Sequence, residues 1–346
     1  MDIKSPSHSR ETAFKALAAF LKEGSFLDES ALDPFAKNLS YGTCQYLLIL
    51  DAFIKKVRPK KMKERALLYL SLYERFFMNT PAYVQGEWVE LAKKYCHASF
   101  AKFLNYYLRS IEKFPDFKEE DAFPPLLQGR FSKEVYLALN RPAPVYVRDR
   151  IEKKFIKIDA LSPYLEGDRY YVQNPTPFHL IEALTAQIDP PKSILDLCAN
   201  PGGKTIALNE FFPEAAFFVN DIKEGREMKD NFSRLKIDAH FTQGDALSYP
   251  EEKKFDLVII DAPCSNSGVL NKRPEARHRL TNAALKELHA LQIKLVEKGK
   301  RLGKNVAYMT CSILEEENEL PDRALFSKTI LPTCEGLDGG YLGLIR

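Results

Sequence analysis

The sequence predicts an all-α half followed by an α/β half built on a doubly wound, mostly parallel sheet. Apolar residues recur at three- and four-residue steps through the first hundred or so positions. From Ile194 onward, short β-rich runs alternate with helical ones, the pattern of strands joined by crossover helices. Between the halves a proline-bearing stretch, from Phe114 through Pro124-Pro125 to Pro142 and Pro144, reads as a linker with room for one short helix over Ser132 to Asn140. A chain of 346 residues suits two domains, each able to bury its own core.

In the first half, Ala13, Leu17, Phe20 and Leu21 share one helical face, as do Leu47, Leu50, Phe53, Ile54 and Val57. Leu67, Leu70 and Phe77, then Trp88, Leu91 and Tyr95, then Phe100, Phe103, Leu104, Tyr107, Leu108 and Ile111 supply three more stripes. Gly24, Pro59 and Pro81 punctuate them where helices should stop. Lys55, Lys56, Arg58, Lys60, Lys61, Lys63 and Arg65 crowd into a short span relieved only by Glu64. Such a run serves equally as a solvated helix end or as a phosphate-binding patch.

In the second half, strands are expected at Ile194 to Leu197, Phe217 to Val219, Phe255 to Ile260 and Val306 to Met309. The run Asp196-Leu-Cys198-Ala199-Asn200-Pro201-Gly202-Gly203-Lys204-Thr205 follows the first of these and precedes a helix. Its two glycines stand where the chain must turn sharply and admit a ligand against its backbone, at the sheet edge where open α/β folds bind ligands. Asp221 ends the next strand, placed to accept hydrogen bonds from ribose hydroxyls, and Gly244-Asp245 ends a third. Each feature alone is compatible with a tight turn or a helix cap; the ordered set is more specific. The phosphate-binding spacing GxxxxGK is absent, and so is the dinucleotide spacing GxGxxG. An adenosyl group without pyrophosphate fits better, which points to S-adenosylmethionine.

Six cysteines, at 44, 96, 198, 264, 311 and 334, include no CxxC pair, so neither a zinc site nor a disulfide framework is expected and no metal is assigned. Cys44, Cys96 and Cys334 read as small packed hydrophobes. Cys264, in Asp261-Ala-Pro-Cys264, and Cys311, in Thr310-Cys311-Ser312, instead stand at the ends of two strands, at the same edge as the cofactor loop. Carbon 5 of cytosine is too weak a nucleophile to take a methyl group unless a thiolate first adds at carbon 6. Two thiols beside a methyl donor suit that chemistry, one to attack and one to assist release.

These segments resemble the RsmB-type branch of the Nop/Sun family of RNA 5-methylcytosine methyltransferases. The likeness is carried by Asp196 to Thr205, Asp221 with Arg226, Gly244-Asp245, Asp261 to Ser265, Arg273-Pro274-Glu275, Tyr308 to Ser312 with Glu316-Glu-Asn318, and Asp338-Gly-Gly-Tyr341. Asn38-Leu-Ser-Tyr-Gly42 and Phe103 to Arg109 resemble the NusB-like RNA-binding domain of that branch, and Arg141 to Arg148 the segment that follows it. The resemblance implies a NusB-like domain over 1–125, a linker and shortened RNA-recognition subdomain over 126–175, and a Rossmann-like catalytic domain over 176–346. It further implies that Cys311 attacks carbon 6, that Cys264 assists product release, and that Lys204 and Asp261 hold the cytosine. Residues Cys198 to Gly203, with Lys204, Asp221, Arg226, Asp245 and Asp261, would form the S-adenosylmethionine site, Asp221 at the ribose and Asp245 at the adenine amino group. The implied substrate is small-subunit (16S) ribosomal RNA, in unpaired or loop segments because the base must leave its stack. With an RNA-binding domain implied, the run Lys55 to Arg65 becomes a candidate phosphate contact.

The chain departs from the family pattern at several points. Asn200 stands where alanine is usual, Asn266-Ser267 replaces a commoner small-residue pair, and Gln173-Asn174 replaces Gln-Asp. After Arg273-Pro274-Glu275 the chain reads Ala276-Arg277-His278 rather than continuing towards a tryptophan, a change expected at the rim of the pocket. Between Arg148 and Tyr171 only about two dozen residues stand where relatives carry a longer RNA-recognition subdomain. Formal charge is only +3, no apolar run could cross a bilayer, and the N-terminus lacks the apolar core of a secretory signal. A cytoplasmic monomer is expected. Two other readings stand beside this one: a non-catalytic RNA-binding factor related to transcription antitermination, and a DNA cytosine methyltransferase with Cys264 as nucleophile.

Overall fold

The computed structural model describes residues 6–24, 27, 32–159, 161, 164, 166–320 and 323–346. Contacts divide the chain into two compact units, one of residues 1–136 with 273–280 and one of residues 137–272 with 281–346.

The first unit holds helices α1 (Pro6–Glu23), α2 (Pro34–Gln45), α3 (Leu47–Phe53), α4 (Met62–Phe76), α5 (Gln85–Tyr95) and α6 (Ala98–Ser110). Asp33 starts α2 by accepting the Ala36 N–H at 2.9 Å, with Pro34 in the first turn where its missing donor is harmless. Helix α4 is buried over most of its length, from Ala66 to Glu74, and packs against α1, α2 and α5. That explains why its apolar residues fill more than one face. The buried Glu74 accepts from Arg10 Nε at 3.0 Å and from Trp88 Nε1 at 2.6 Å, tying α1 and α5 to the central helix.

Residues 273–280 pack into this unit. The Arg277 guanidinium is buried 4.0 Å over the Phe123 ring and donates to the carbonyls of Gln45 and Ala122, while His278 Nε2 lies 2.7 Å from the Cys44 carbonyl. The expectation that Ala276-Arg277-His278 would alter a pocket rim is therefore corrected: these side chains fill space in the helical unit, where a cation, an aromatic ring and helix-end carbonyls meet.

The second unit begins with α7 (Leu137 onward of Lys133–Asn140) and a three-stranded antiparallel sheet of β1 (Val145–Asp149), β2 (Lys154–Ile158) and β3 (Tyr170–Val172) in the order β2-β1-β3. Helix α7 falls on the short helix expected over Ser132 to Asn140, and the three strands lie within the 126–175 span read as a linker and shortened RNA-recognition subdomain. Buried Arg148 and half-buried Arg150 both reach Glu210, at 3.0 and 2.9 Å, which fastens the small sheet to the catalytic half.

Next come α8 (Pro175–Thr185), β4 (Ser193–Asp196), α9 (Gly203–Phe211), β5 (Ala216–Asp221), α10 (Arg226–Arg234), β6 (Ala239–Gln243) and β7 (Phe255–Asp261). The chain ends with α11 (Asn282–Leu302), β8 (Gly303–Thr310), α12 (Glu315–Asn318), β9 (Phe326–Ile330) and β10 (Gly340–Ile345). The large sheet has the order β6-β5-β4-β7-β8-β10-β9; the first five strands are parallel, and β10 is antiparallel to both its neighbours, β8 and β9. Ile194, Leu257, Ile259, Ala307 and Met309 pack on one face with α8 and α9, while Leu195, Val258, Ile260, Val306 and Tyr308 pack on the other with α11. Because both faces are covered, the central strands are continuous apolar runs.

Candidate active site

The chain order of strands reverses between β4 and β7, and the crevice beyond their carboxyl ends is the switch point of the sheet. Gly202 initiates α9 there with φ of +95°, and a Cβ at this position would lie 2.6 Å from the Phe232 ring, so geometry and space both demand glycine. Asp221 is half-buried and accepts the Asn200 N–H at 3.0 Å and the Lys223 N–H at 2.9 Å. Asn220 donates to the carbonyls of Leu197 and Gly244, coupling the loops after β4 and β6. The exposed Asp245 caps the next turn through the Leu247 N–H, at the mouth of a cleft of about 400 Å³ also lined by Asn220, Gly244 and Tyr249. Arg226 opens α10 with its side chain exposed.

Electrostatically this edge is acidic. Burial, then Asp196, Asp261, Asp221 and Asp245, push the Cys198 thiol up to about 12, so Cys198 is no nucleophile at neutral pH. Asp221, Asp245 and Asp261 around a glycine turn suit a cationic sulfonium ligand. At the end of β7, Asp261 pairs with the Lys204 ammonium. Burial works against the Lys204 charge, but Asp261, then Asp196 and Cys311, outweigh it and hold the ammonium above its ordinary value.

Behind this pair, Asp196 is buried and accepts from Thr205 Oγ1 at 2.8 Å; burial raises its carboxyl from 3.8 to about 7. The folded chain thus retains a proton that the unfolded chain releases, and the stability this group contributes is present below the unfolded value and lost as pH rises through about 7. Asp196→Asn, which cannot titrate, should gain in melting temperature relative to the unsubstituted protein as pH rises from about 4 to about 7. A difference that stays constant with pH would show that Asp196 is ionised throughout.

The two strand-end thiols meet: Cys264 Sγ and Cys311 Sγ are 3.0 Å apart, both half-buried. Cys264, then burial, then Asp261, raise the Cys311 thiol well above its ordinary value, against the opposing pull of Lys204. Cys311 Sγ also lies 3.3 Å from Asn266 Oδ1. The loops that carry the thiols are held by direct backbone contact. Gly268 N donates to the Cys311 carbonyl at 2.9 Å, and a Cβ on Gly268 would sit 2.6 Å from that oxygen.

Beneath the thiols lies a buried polar network centred on Glu317. Its Oε1 accepts from the Ser265 N–H at 2.8 Å and from Gln292 Nε2 at 3.1 Å; its Oε2 accepts from the hydroxyls of Ser265 and Ser312, each at 2.5 Å. Ser267 Oγ is 2.8 Å from Ser312 Oγ and accepts the Ile313 N–H at 3.0 Å.

The structure therefore gathers Lys204, Asp261, Cys264 and Cys311 into one cluster, with the 198–203 loop, Asp221 and Asp245 along the same sheet edge. The basic run lies in the first unit, just before and within the start of α4. Lys55, Lys56, Lys60 and Lys63 are exposed with no ion-pair partner among the described residues, Arg58 pairs with Asp51 at 2.6 Å, Lys61 lies 3.7 Å from Glu64, and Arg65 donates to the Pro59 carbonyl. Asn220, the contact of Asn266 with Cys311 and the linking role of Glu317 escaped sequence reading, although Asn266-Ser267 was noted as a departure and Glu317 sits within a segment singled out there. Gln173 and Asn174, noted as departures, make local bonds: Gln173 Nε2 reaches the Gly203 carbonyl at 3.2 Å, and Asn174 caps α8 while holding Asp338 N and Gly336 O. No cluster of three or more His, Cys, Asp or Glu among the described residues could hold a metal ion, and no described helix is long and apolar enough to cross a membrane.

A parallel sheet flanked by an antiparallel pair, with a glycine turn and strand-end carboxylates at the switch point, is the architecture of the S-adenosylmethionine-dependent methyltransferases. Residues 183–329 match the 16S rRNA methyltransferase RsmB/F family, and residues 7–113 match the NusB family. The RsmB/F match falls in the second half of the chain and the NusB match in the first. It is 27% identical to ribosomal RNA small subunit methyltransferase B of Escherichia coli O6:K15:H31, covering 94% of this chain and 92% of that protein. The like-named protein of Proteus mirabilis is 28% identical over 96% and 94%. The latter alignment spans 403 positions, more than the 346 residues here, so that relative carries additional residues inside the aligned span. The crystal structure of PH0851 shares the fold, with a TM-score of 0.75 at 19% identity and 99% of each chain covered.

Proposed function

We propose that this protein is an RNA (cytosine-5) methyltransferase acting on small-subunit ribosomal RNA through a covalent adduct at carbon 6. The observation that carries the proposal is the meeting of two thiols, 3.0 Å apart, beside an ion-paired lysine and aspartate at the cofactor edge of the sheet. The small-subunit assignment draws on the two relatives, and the division into domains at 1–125, 126–175 and 176–346 on the resemblance above.

In this reading Cys311 attacks as the thiolate. Its sulfur forms a bond to carbon 6 as the carbon 5–carbon 6 π bond breaks, and the electron pair moves to carbon 5. Asp261, steadied by Lys204, faces the ring nitrogen and amino group and holds the base in register. S-adenosylmethionine, when bound, supplies the methyl group. Residues Cys198 to Gly203, with Asp221 at the ribose, Asp245 at the adenine amino group, and Arg226, hold it; the left-handed glycine and the acidic surroundings of Cys198 fit that ligand. Once carbon 5 carries its methyl group, a general base takes the carbon-5 proton, the carbon–hydrogen electron pair re-forms the carbon 5–carbon 6 double bond, and the carbon 6–sulfur bond breaks with its pair leaving on Cys311 as the thiolate. Cys264, in contact with the leaving sulfur, assists that release. The exposed lysines of the 55–65 run in the NusB-family domain contact RNA phosphates.

Bisulfite sequencing of total RNA with and without the gene tests the whole reading. At least one small-subunit cytosine should lose its protection when the gene is removed, and an unchanged methylation profile would reject it.

A further inference from the structure

We propose that Asn266 is a positioning residue for Cys311: its carboxamide oxygen accepts a hydrogen bond from the thiol and thereby sets how readily the thiolate forms. The bearing of this on catalysis rests on Cys311 being the attacking thiol, as proposed above.

Asn266 occupies the left-handed region, with φ of +60° and ψ of 23°. Few side chains other than glycine tolerate that conformation, and asparagine does so because its short carboxamide can bond locally. Here the Nδ2 group donates to the Cys264 carbonyl at 3.1 Å, which leaves Oδ1 directed at Cys311 Sγ at 3.3 Å. One side chain thus touches the backbone of one thiol-bearing residue and the sulfur of the other.

An amide oxygen only accepts hydrogen bonds. Against Cys311 it stabilises the S–H form and opposes a thiolate, whose lone pairs would face its own. Turning the carboxamide to offer N–H to a thiolate would break the bond to the Cys264 carbonyl. The proton order in the cluster follows: Cys311 donates to Asn266, so the hydrogen between the two sulfurs belongs to Cys264. The titratable and charged groups that face Cys311 are Cys264 and Asp261, which disfavour the thiolate, and Lys204, which favours it. Asn266 adds a neutral dipole to the disfavouring side, and unlike Lys204, Asp261 and Cys264 it has no part in the proposed reaction, so it can be exchanged without altering formal charge or removing a reacting group. The loop has anchors besides this side chain: Ser267 is held by Ser312 and the Ile313 N–H, and Gly268 by the Cys311 carbonyl.

The test labels the full chain with iodoacetamide from about pH 6 to about pH 10 and follows alkylation of the Cys311 peptide by mass spectrometry. Asn266→Gly keeps the left-handed backbone and removes the oxygen. Its Cys311 profile should move to lower pH, with labelling near neutral pH roughly three- to tenfold faster, the thiolate gain from a shift of about half to one pKa unit. Asn266→Asp, which keeps an acceptor and adds negative charge, should move the profile to higher pH. A profile for Asn266→Gly that coincides with the unsubstituted protein would overturn the proposal, as would movement of both variants in the same direction. Labelling reads the thiol itself, so this failure is distinguishable from failure of the functional reading: methyl transfer that survives Cys311→Ala would reject the role of Cys311 while leaving the thiol–carboxamide contact standing.

Discussion

Cys264→Ala is expected to accumulate a covalent protein–RNA adduct that survives denaturing electrophoresis, whereas Cys311→Ala forms none and transfers methyl groups no faster than background. The asymmetry follows from the order of steps. Without Cys311 nothing activates carbon 5, and the electrophile meets an unreactive ring. Without Cys264 the attack and methyl transfer still occur, but the step that frees Cys311 slows, so the intermediate builds up. Multiple turnover by Cys264→Ala should fall roughly a hundredfold or more, the usual effect of losing a proton-transfer group. Because the sulfurs are 3.0 Å apart, each could reach carbon 6 with a modest rotation, and the experiment distinguishes them. An adduct in Cys311→Ala but not in Cys264→Ala would exchange the two roles, which is the arrangement the DNA-methyltransferase reading requires.

Glu317→Ala should be the most damaging substitution that touches neither substrate nor cofactor. The carboxylate receives four hydrogen bonds, from the Ser265 N–H and hydroxyl, the Ser312 hydroxyl and Gln292. Removing it strands buried donors on the two loops that carry the thiols, at a cost of about 3–4 kcal/mol, for each unsatisfied buried group is worth about 1–3 kcal/mol and some will find other partners. For a unit of about this size that corresponds to a fall in melting temperature of roughly 6–16 °C. Glu317→Gln should be milder. The oxygen of its amide can face the Ser265 N–H and Gln292, both fixed donors, and its NH2 can face the two serine hydroxyls, which rotate to accept. Differential scanning calorimetry checks the order, unsubstituted above Gln above Ala. Equal melting temperatures for the three would show that Glu317 does not hold the loops. Methyl transfer should fall in the same order, because Ser265 and Ser312 each adjoin a thiol.

Legibility in the sequence tracked burial. β4, β7 and β8 are covered on both faces and announced themselves as apolar runs, and α1 and α3 to α6 did so by their three- and four-residue spacing, whereas α2 showed no such stripe. β6 is an edge strand with four exposed residues, so it carries no such run and showed only through the Gly244-Asp245 that follows it. The alternation of β9 and the glycine-broken β10 were not read at all, and neither was the small sheet of β1, β2 and β3, whose stability comes from arginines reaching a glutamate some sixty residues away.

The sequence by itself determined which residues share the candidate site. Strand-end placement puts Lys204, Asp221, Asp245, Asp261, Cys264 and Cys311 on one edge, because a parallel sheet presents all its carboxyl ends together. Only the tertiary structure decided which of them touch and what holds them. The pairing of Lys204 with Asp261 joins a helix start to a strand end 57 residues on, and the separation of the sulfurs and the contact of Asn266 with Cys311 depend on how two loops, some 47 residues apart in the chain, are pressed together. Glu317 does that from beneath, and no local pattern reveals it: a buried carboxylate between serines looks, residue by residue, like an exposed acidic turn. The same holds for Arg277 and His278, which neighbour the catalytic segments in sequence yet fill the core of the helical unit. Local sequence specifies where a chain turns and which face is apolar; satisfying buried polar groups requires partners from distant segments, and those are chosen by packing.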